Sequence, residues 1–142
     1  YCDTSLLHSL FATDNNSTRV DSWREIHSAP LVLTPFPKLE LKNSLNLAAF
    51  QNRLTLAQVQ SIWQDVERDL DAGFLYFVDL DWPTVWLEAE ELSAKYTTEL
   101  GTRTLDGIHV AICKYLQAEV FCTCDKRQQA LAKKVGVASA LI

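Results

Sequence analysis

Residues 100–137 read LGTRTLDGIHVAICKYLQAEVFCTCDKRQQALAKKVGV, and the fold follows from this stretch. Gly101 is a helix stop, and Thr104 caps a new helix over Leu105–Leu116. The short run Glu119–Thr123 is too brief for a helix and reads as a strand, after which Lys126–Val135 forms another helix. Val137–Ile142 is a candidate last strand. Helices and short apolar strands in alternation predict an α/β fold with a mostly parallel sheet.

The rest of the chain repeats that rhythm. Tyr1-Cys2 reads as the end of a strand whose beginning is missing, and with no methionine in the chain, residue 1 is not expected to be the translational start. Asp3-Thr4-Ser5 turns into a short helix over Leu6–Phe11, residues 13–18 form a polar loop, and Val20–His27 reads as a second helix. Leu31–Thr34 is a buried strand, and Pro35 and Pro37 favour the start of a helix with Leu39, Leu41, Leu45, Leu47 and Phe50 as its apolar positions. Thr55 caps a helix to about Ala72, with Leu56, Val59, Ile62, Trp63, Val66 and Leu70 at helical spacing. Gly73 ends it, Phe74–Leu80 is a further strand, and Trp82-Pro83 opens a long helix to Leu100.

The 142 residues are expected to form one domain, 1–142, with enough core to need no crosslinks. Hydrophobic residues at 48% and charged residues at 22% are ordinary globular values. No apolar run is long enough to span a membrane, and no signal-peptide pattern opens the chain. Cys2, Cys113, Cys122 and Cys124 fall in strands and a helix and do not read as a disulfide framework, which points to the cytoplasm. The net charge of −5 argues against a broad basic nucleic-acid face, although carboxylates committed to a cation would account for much of it.

Four acids stand where strand and helix exchange: Asp3, Glu40, Asp106 and Asp125. Ligands of open parallel sheets bind beyond the carboxyl ends of the strands, where Asp3 and Asp125 fall. Asp106 lies in the first turn of its helix and Glu40 about one turn into another. Taken singly, each acid is most simply a helix cap. Together they form an oxygen-rich set of the kind that holds a hard divalent cation for phosphodiester chemistry.

The order of these residues resembles the PIN domains, and among them most closely the VapC-like toxins of type II toxin–antitoxin pairs. The resemblance rests on YCDTSLL at the start, on Leu39-Glu40, and above all on residues 100–137; the middle, 51–99, has only compatible periodicity. It implies a Rossmann-like, three-layer α/β/α sandwich with a mostly parallel central sheet of four to five strands. The implied activity is metal-dependent endoribonucleolytic hydrolysis of RNA phosphodiester bonds, with Asp3, Glu40, Asp106 and Asp125 binding Mg²⁺ or Mn²⁺. Thr4, Ser5 and Thr123 would be lesser contributors, with capping and strand packing as their simpler roles. The resemblance also implies a homodimer and a cognate antitoxin whose C-terminal segment covers the acidic site.

Arg103, Lys126 and Arg127 flank the acids and are either RNA phosphate contacts or solvated and ion-paired charges. His109 reads as a core histidine, Cys122 and Cys124 as buried strand residues, and Glu88, Glu90 and Glu91 as a solvated face. Asp79 and Asp81 end a strand near the same sheet edge without an assigned role, and most of Trp23, Trp63, Trp82 and Trp86 are expected in the core. Three rival readings are an RNA-processing PIN nuclease outside a toxin–antitoxin pair, a non-cleaving PIN-like binding module, and an unrelated phospho-receiver domain. The last wants paired early acids and a lysine after the final strand; here Asp3 stands alone and the chain ends Ala-Leu-Ile.

Overall fold

The computed structural model describes residues 1–142. In chain order the elements are α1 (Thr4–Phe11), α2 (Ser17–Ile26), β1 (Leu31–Leu33), α3 (Pro35–Phe50), α4 (Leu56–Asp71), β2 (Leu75–Phe77), α5 (Trp82–Leu100), α6 (Thr104–Tyr115), β3 (Phe121–Thr123), α7 (Lys126–Lys134) and β4 (Ser139–Leu141). The chain divides into two compact units. One holds Thr4–Asp79, and the other holds Tyr1–Asp3 with Leu80–Ile142.

In the unit of Thr4–Asp79, β1 and β2 pair in parallel, Leu31 opposite Leu75 and Leu33 opposite Phe77. Thr34 in extended conformation precedes Pro35, whose fixed φ suits a first helical position. Thr55 and Gln58 form a reciprocal capping box that starts α4. Leu6, Leu7, Val20, Leu33, Leu41, Leu45 and Val66 make the core of this unit. The apolar stripes of α3 and α4 are only partly used: Leu39, Leu47, Phe50 and Leu56 are exposed, Phe50 at 84% and Leu56 at 75%.

In the other unit, β3 pairs in parallel with β4, Phe121 opposite Ser139 and Thr123 opposite Leu141. Its second edge takes the N-terminal residues. The Cys122 N–H donates to the Tyr1 carbonyl (2.8 Å), and the Asp3 N–H donates to the Cys122 carbonyl (3.1 Å). Alternate residues of β3 thus bond to opposite sides, and all three of its side chains are buried. Helix α6 is buried from Asp106 through Cys113, consistent with its almost uninterrupted apolar sequence. Gly101 ends α5 at φ 63°, a left-handed position that glycine occupies without a Cβ clash.

The observed strand pairings are two parallel pairs and the Cys2–Cys122 bridge, not one continuous sheet of four to five strands. The strands are shorter than expected: Phe74–Leu80 contracts to Leu75–Phe77 and Glu119–Thr123 to Phe121–Thr123. The pairing of Cys2 with Cys122 is a single parallel bridge rather than a ladder. The tryptophans also depart from expectation. None is fully buried, and Trp86 is 45% exposed, because α5 buries the stripe of Val85, Ala89 and Leu92 instead.

Candidate active site

The unit that holds β3 brings three of the four acids into one hydrogen-bonded chain. Asp3 leaves the N-terminal bridge fully buried and accepts the Thr123 hydroxyl proton at its Oδ2 (2.7 Å). The same Thr123 oxygen accepts the backbone N–H of Asp125 (2.8 Å). Asp125 caps α7, its Oδ1 accepting from the N–H groups of Arg127 (2.7 Å) and Gln128 (3.4 Å). Gln128 then donates its side-chain amide to Asp106 Oδ1 (3.4 Å), while Asp106 Oδ2 takes the Arg103 N–H at the start of α6 (2.8 Å). Buried carboxylates are tolerable only with such donors.

Asp106 and Asp125 therefore keep their local capping tasks and also join a common arrangement with Asp3. Asp125 is an N-cap and Asp106 is a third-position carboxylate reaching back to the helix start, as simple helix chemistry requires. Helix N-termini also favour negative charge. Gln128 was not anticipated. Its signal is a position three residues after a capping aspartate, on the side of α7 that carries the buried Leu131 and Ala132.

Glu40 belongs to the other unit. It sits on α3, where Thr4 donates its hydroxyl to Glu40 Oε2 (2.6 Å). Ser5 is half-buried in the first turn of α1, and its carbonyl accepts the Ser9 hydroxyl (3.0 Å).

The flanking cations separate into different roles. Arg127 approaches Asp125 Oδ2 at 3.6 Å, which makes it an ion-pair partner of the acid chain. Arg103 and Lys126 are exposed. His109 is buried, and its Nδ1 bonds the Tyr1 hydroxyl (2.8 Å), as a core histidine would. Glu88, expected on a solvated face, pairs with Lys114 and so ties α5 to α6; Glu91 pairs with Lys95 on the surface (3.2 Å).

The donor chemistry suits a hard cation, since every member of the acid set offers oxygen. Gln128 Oε1, on the amide whose nitrogen donates to Asp106, is buried without a hydrogen-bond donor, as an acceptor facing a hydrated cation would be. No three His, Cys, Asp or Glu side chains are close enough to form a ready-made ligand group. The thiols of Cys2 and Cys113 are unsuited to join one. Burial pushes Cys113 up to about 11, and a hydrogen bond that the Cys2 thiol donates to Cys122, with burial, holds Cys2 well above the usual thiol range.

The sequence profile of the PIN domain matches residues 1–134, which takes in every acid described above. The chain belongs to the PIN domain family. No curated protein matches the sequence significantly. PIN domains are generally nucleases and typically depend on a divalent metal, which agrees with Asp3 and Asp125 at the carboxyl ends of the parallel Cys2 bridge and β3. No helix of this PIN domain is long and apolar enough to cross a membrane.

Proposed function

We propose that residues 1–142 act as one PIN domain, a metal-dependent endoribonuclease that hydrolyses RNA phosphodiester bonds. The observation that carries this reading is the bonded chain Asp3–Thr123–Asp125–Gln128–Asp106, with its one orphaned acceptor. Asp3, Asp106, Asp125 and Glu40 are the residues that would hold Mg²⁺ or Mn²⁺. The chemistry such an ion supplies when bound is activation of water and stabilisation of the leaving oxygen.

The chain's own residues have distinct tasks in this reading. Thr123 fixes the Asp3 carboxylate and Gln128 fixes that of Asp106, so neither must reorganise when RNA arrives. Thr4 orients Glu40, and Arg127 holds Asp125. Exposed Arg103 and Lys126 take phosphates along the RNA backbone, a local cationic rim on a chain of net charge −5.

We further propose a cytoplasmic toxin of a type II toxin–antitoxin pair, VapC-like, forming a homodimer and silenced by a cognate antitoxin. This finer reading is supported by the apolar residues that α3 and α4 leave exposed. A groove of about 360 Å³ between those helices is lined by Leu45, Leu56, Val59 and Trp63, with the Lys42 ammonium over the Trp63 ring at 4.6 Å. An antitoxin arginine entering the acid cluster would pair with its carboxylates. A PIN nuclease of RNA processing shares the same site chemistry, and the test below separates the two.

Purified protein is incubated with RNA in Mg²⁺ or Mn²⁺, in EDTA, and as the Asp3→Asn and Asp106→Asn variants. Cleavage should require the metal and disappear in both variants; cleavage that survives chelation or both substitutions contradicts the reading. Expression without a partner should arrest growth for the wild type and not for Asp106→Asn. Normal growth with active wild-type protein contradicts the toxin role and leaves RNA processing.

A further inference from the structure

Beside the acid chain, the same unit carries a cavity of about 240 Å³ that the proposed hydrolysis does not use. One stripe of α5 forms a wall, with Trp86, Glu90, Ser93 and Thr97 at successive turns. The start of α6 forms the facing wall, and Ile108 and Leu131 add apolar lining. This space is smaller than the roughly 300–1,000 Å³ of pockets for larger ligands and suits one planar ring system.

Its polar groups have an order. The Ser93 and Thr97 hydroxyls lie 3.3 Å apart, and Thr97 contacts the buried Thr102 hydroxyl at 3.2 Å. Hydroxyls both donate and accept, whereas the Glu90 carboxylate only accepts. Trp86 is half-exposed and backed by Trp82, with ring centroids 5.6 Å apart. Gly107 puts no side chain into the wall, and a Cβ there would come within 3.9 Å of the Ala89 carbonyl. Arg103 lines the cavity with its side chain exposed, and its own N–H is the one that holds Asp106 Oδ2. Cavity and acid chain therefore meet at Arg103.

We propose that this cavity is a base-binding subsite on the RNA path, taking one unpaired nucleobase stacked on Trp86, with its phosphate at Arg103. The inference rests on the nuclease reading for its biological sense. Aromatic side chains stack on unpaired bases irrespective of sequence, and the polar edge then selects among them. Glu90 selects for N–H donors. Guanine, which offers two adjacent ones to a carboxylate's two oxygens, fits it best.

The test is calorimetric titration of the wild type, in EDTA, with guanosine 5′-monophosphate, uridine 5′-monophosphate and ribose 5-phosphate. Guanosine monophosphate should bind at least about fivefold more tightly than ribose 5-phosphate, since a stacked base contributes about that much or more. Trp86→Ala should weaken it about 5- to 150-fold, Trp86→Phe should retain most of the affinity, and Glu90→Gln should erase the preference over uridine monophosphate. Equal binding of ribose 5-phosphate, or indifference to Trp86→Ala, overturns the subsite. Absence of nucleotide binding by protein that cleaves RNA overturns the subsite and leaves the nuclease reading intact. Nucleotide binding that meets these criteria in protein that does not cleave supports the subsite and removes the nuclease reading.

Discussion

Thr123 donates its hydroxyl to Asp3 across 2.7 Å, although 120 residues separate them in the chain. Both are fully buried, and the bond joins the N-terminal bridge to the end of β3. Thr123→Val keeps the shape and removes the donor. It should cost about 1–3 kcal/mol of unfolding free energy, seen as a lower urea midpoint, because a buried acceptor loses a partner, and it should lower RNA cleavage. Thr123→Ser should restore most of both. Unchanged cleavage in the valine variant would mean that Asp3 needs no positioning from β3.

Asp125 separates a structural from a chemical role. Asn caps a helix about as well as Asp, so Asp125→Asn should leave thermal stability nearly unchanged while abolishing cleavage. Asp125→Ala should lose cleavage and also about 0.5–2 kcal/mol of stability. If the asparagine variant stays active, the carboxylate is only the cap of α7.

Gln128 offers a finer probe of the same network. Gln128→Leu preserves burial but withdraws the donor from Asp106. A misplaced carboxylate of this kind costs catalysis up to about 100-fold, and the expected loss is in kcat rather than KM. A loss confined to KM would instead place Gln128 in substrate binding.

His109 should prove irrelevant to the chemistry. His109→Phe loses the bond to Tyr1 and is expected to lower stability, while the pH–rate profile keeps its shape. Disappearance of a limb from that profile would identify His109 as a proton carrier.

His8 makes stability depend on pH. Burial holds its pKa below 6.5, so the folded state binds the proton more weakly than the unfolded chain does. Its stabilising contribution is full above the unfolded value and is lost as pH falls from about 6.5 toward the lower folded value. The difference in urea midpoint between pH 7.5 and pH 5.5 should shrink in His8→Asn; an unchanged difference would assign the acid sensitivity elsewhere.

The helices were legible because their ends are chemically marked. Thr55 as a cap, Pro35 at a helix start, and Gly101 as a helix stop each stand where the pattern put them. Strand lengths were not, since three-residue strands carry too little pattern to show where pairing stops. Apolar spacing marked α3 and α4 correctly as helices but could not say that Phe50 and Leu56 remain outside the core, because periodicity identifies a face and not its occupant. Asp3, Asp106 and Asp125 could be read as acids at strand and helix ends, but the hydrogen bonds that link them through Thr123 and Gln128 could not. Gln128 was hidden because, as one of two adjacent glutamines on a short basic helix, it resembles any solvated glutamine until Asp106 is found beside it.

The claim that Asp3, Glu40, Asp106 and Asp125 form one hard-cation site is tested most directly by Mn²⁺ titration, with the free ion followed by electron paramagnetic resonance. The wild type should bind Mn²⁺ and release it to excess Mg²⁺, and Asp3→Asn, Glu40→Gln, Asp106→Asn and Asp125→Asn should each weaken binding by about tenfold or more, as removal of a charged oxygen ligand should. Folded wild-type protein that binds no Mn²⁺, or Mn²⁺ binding indifferent to all four substitutions, would contradict it.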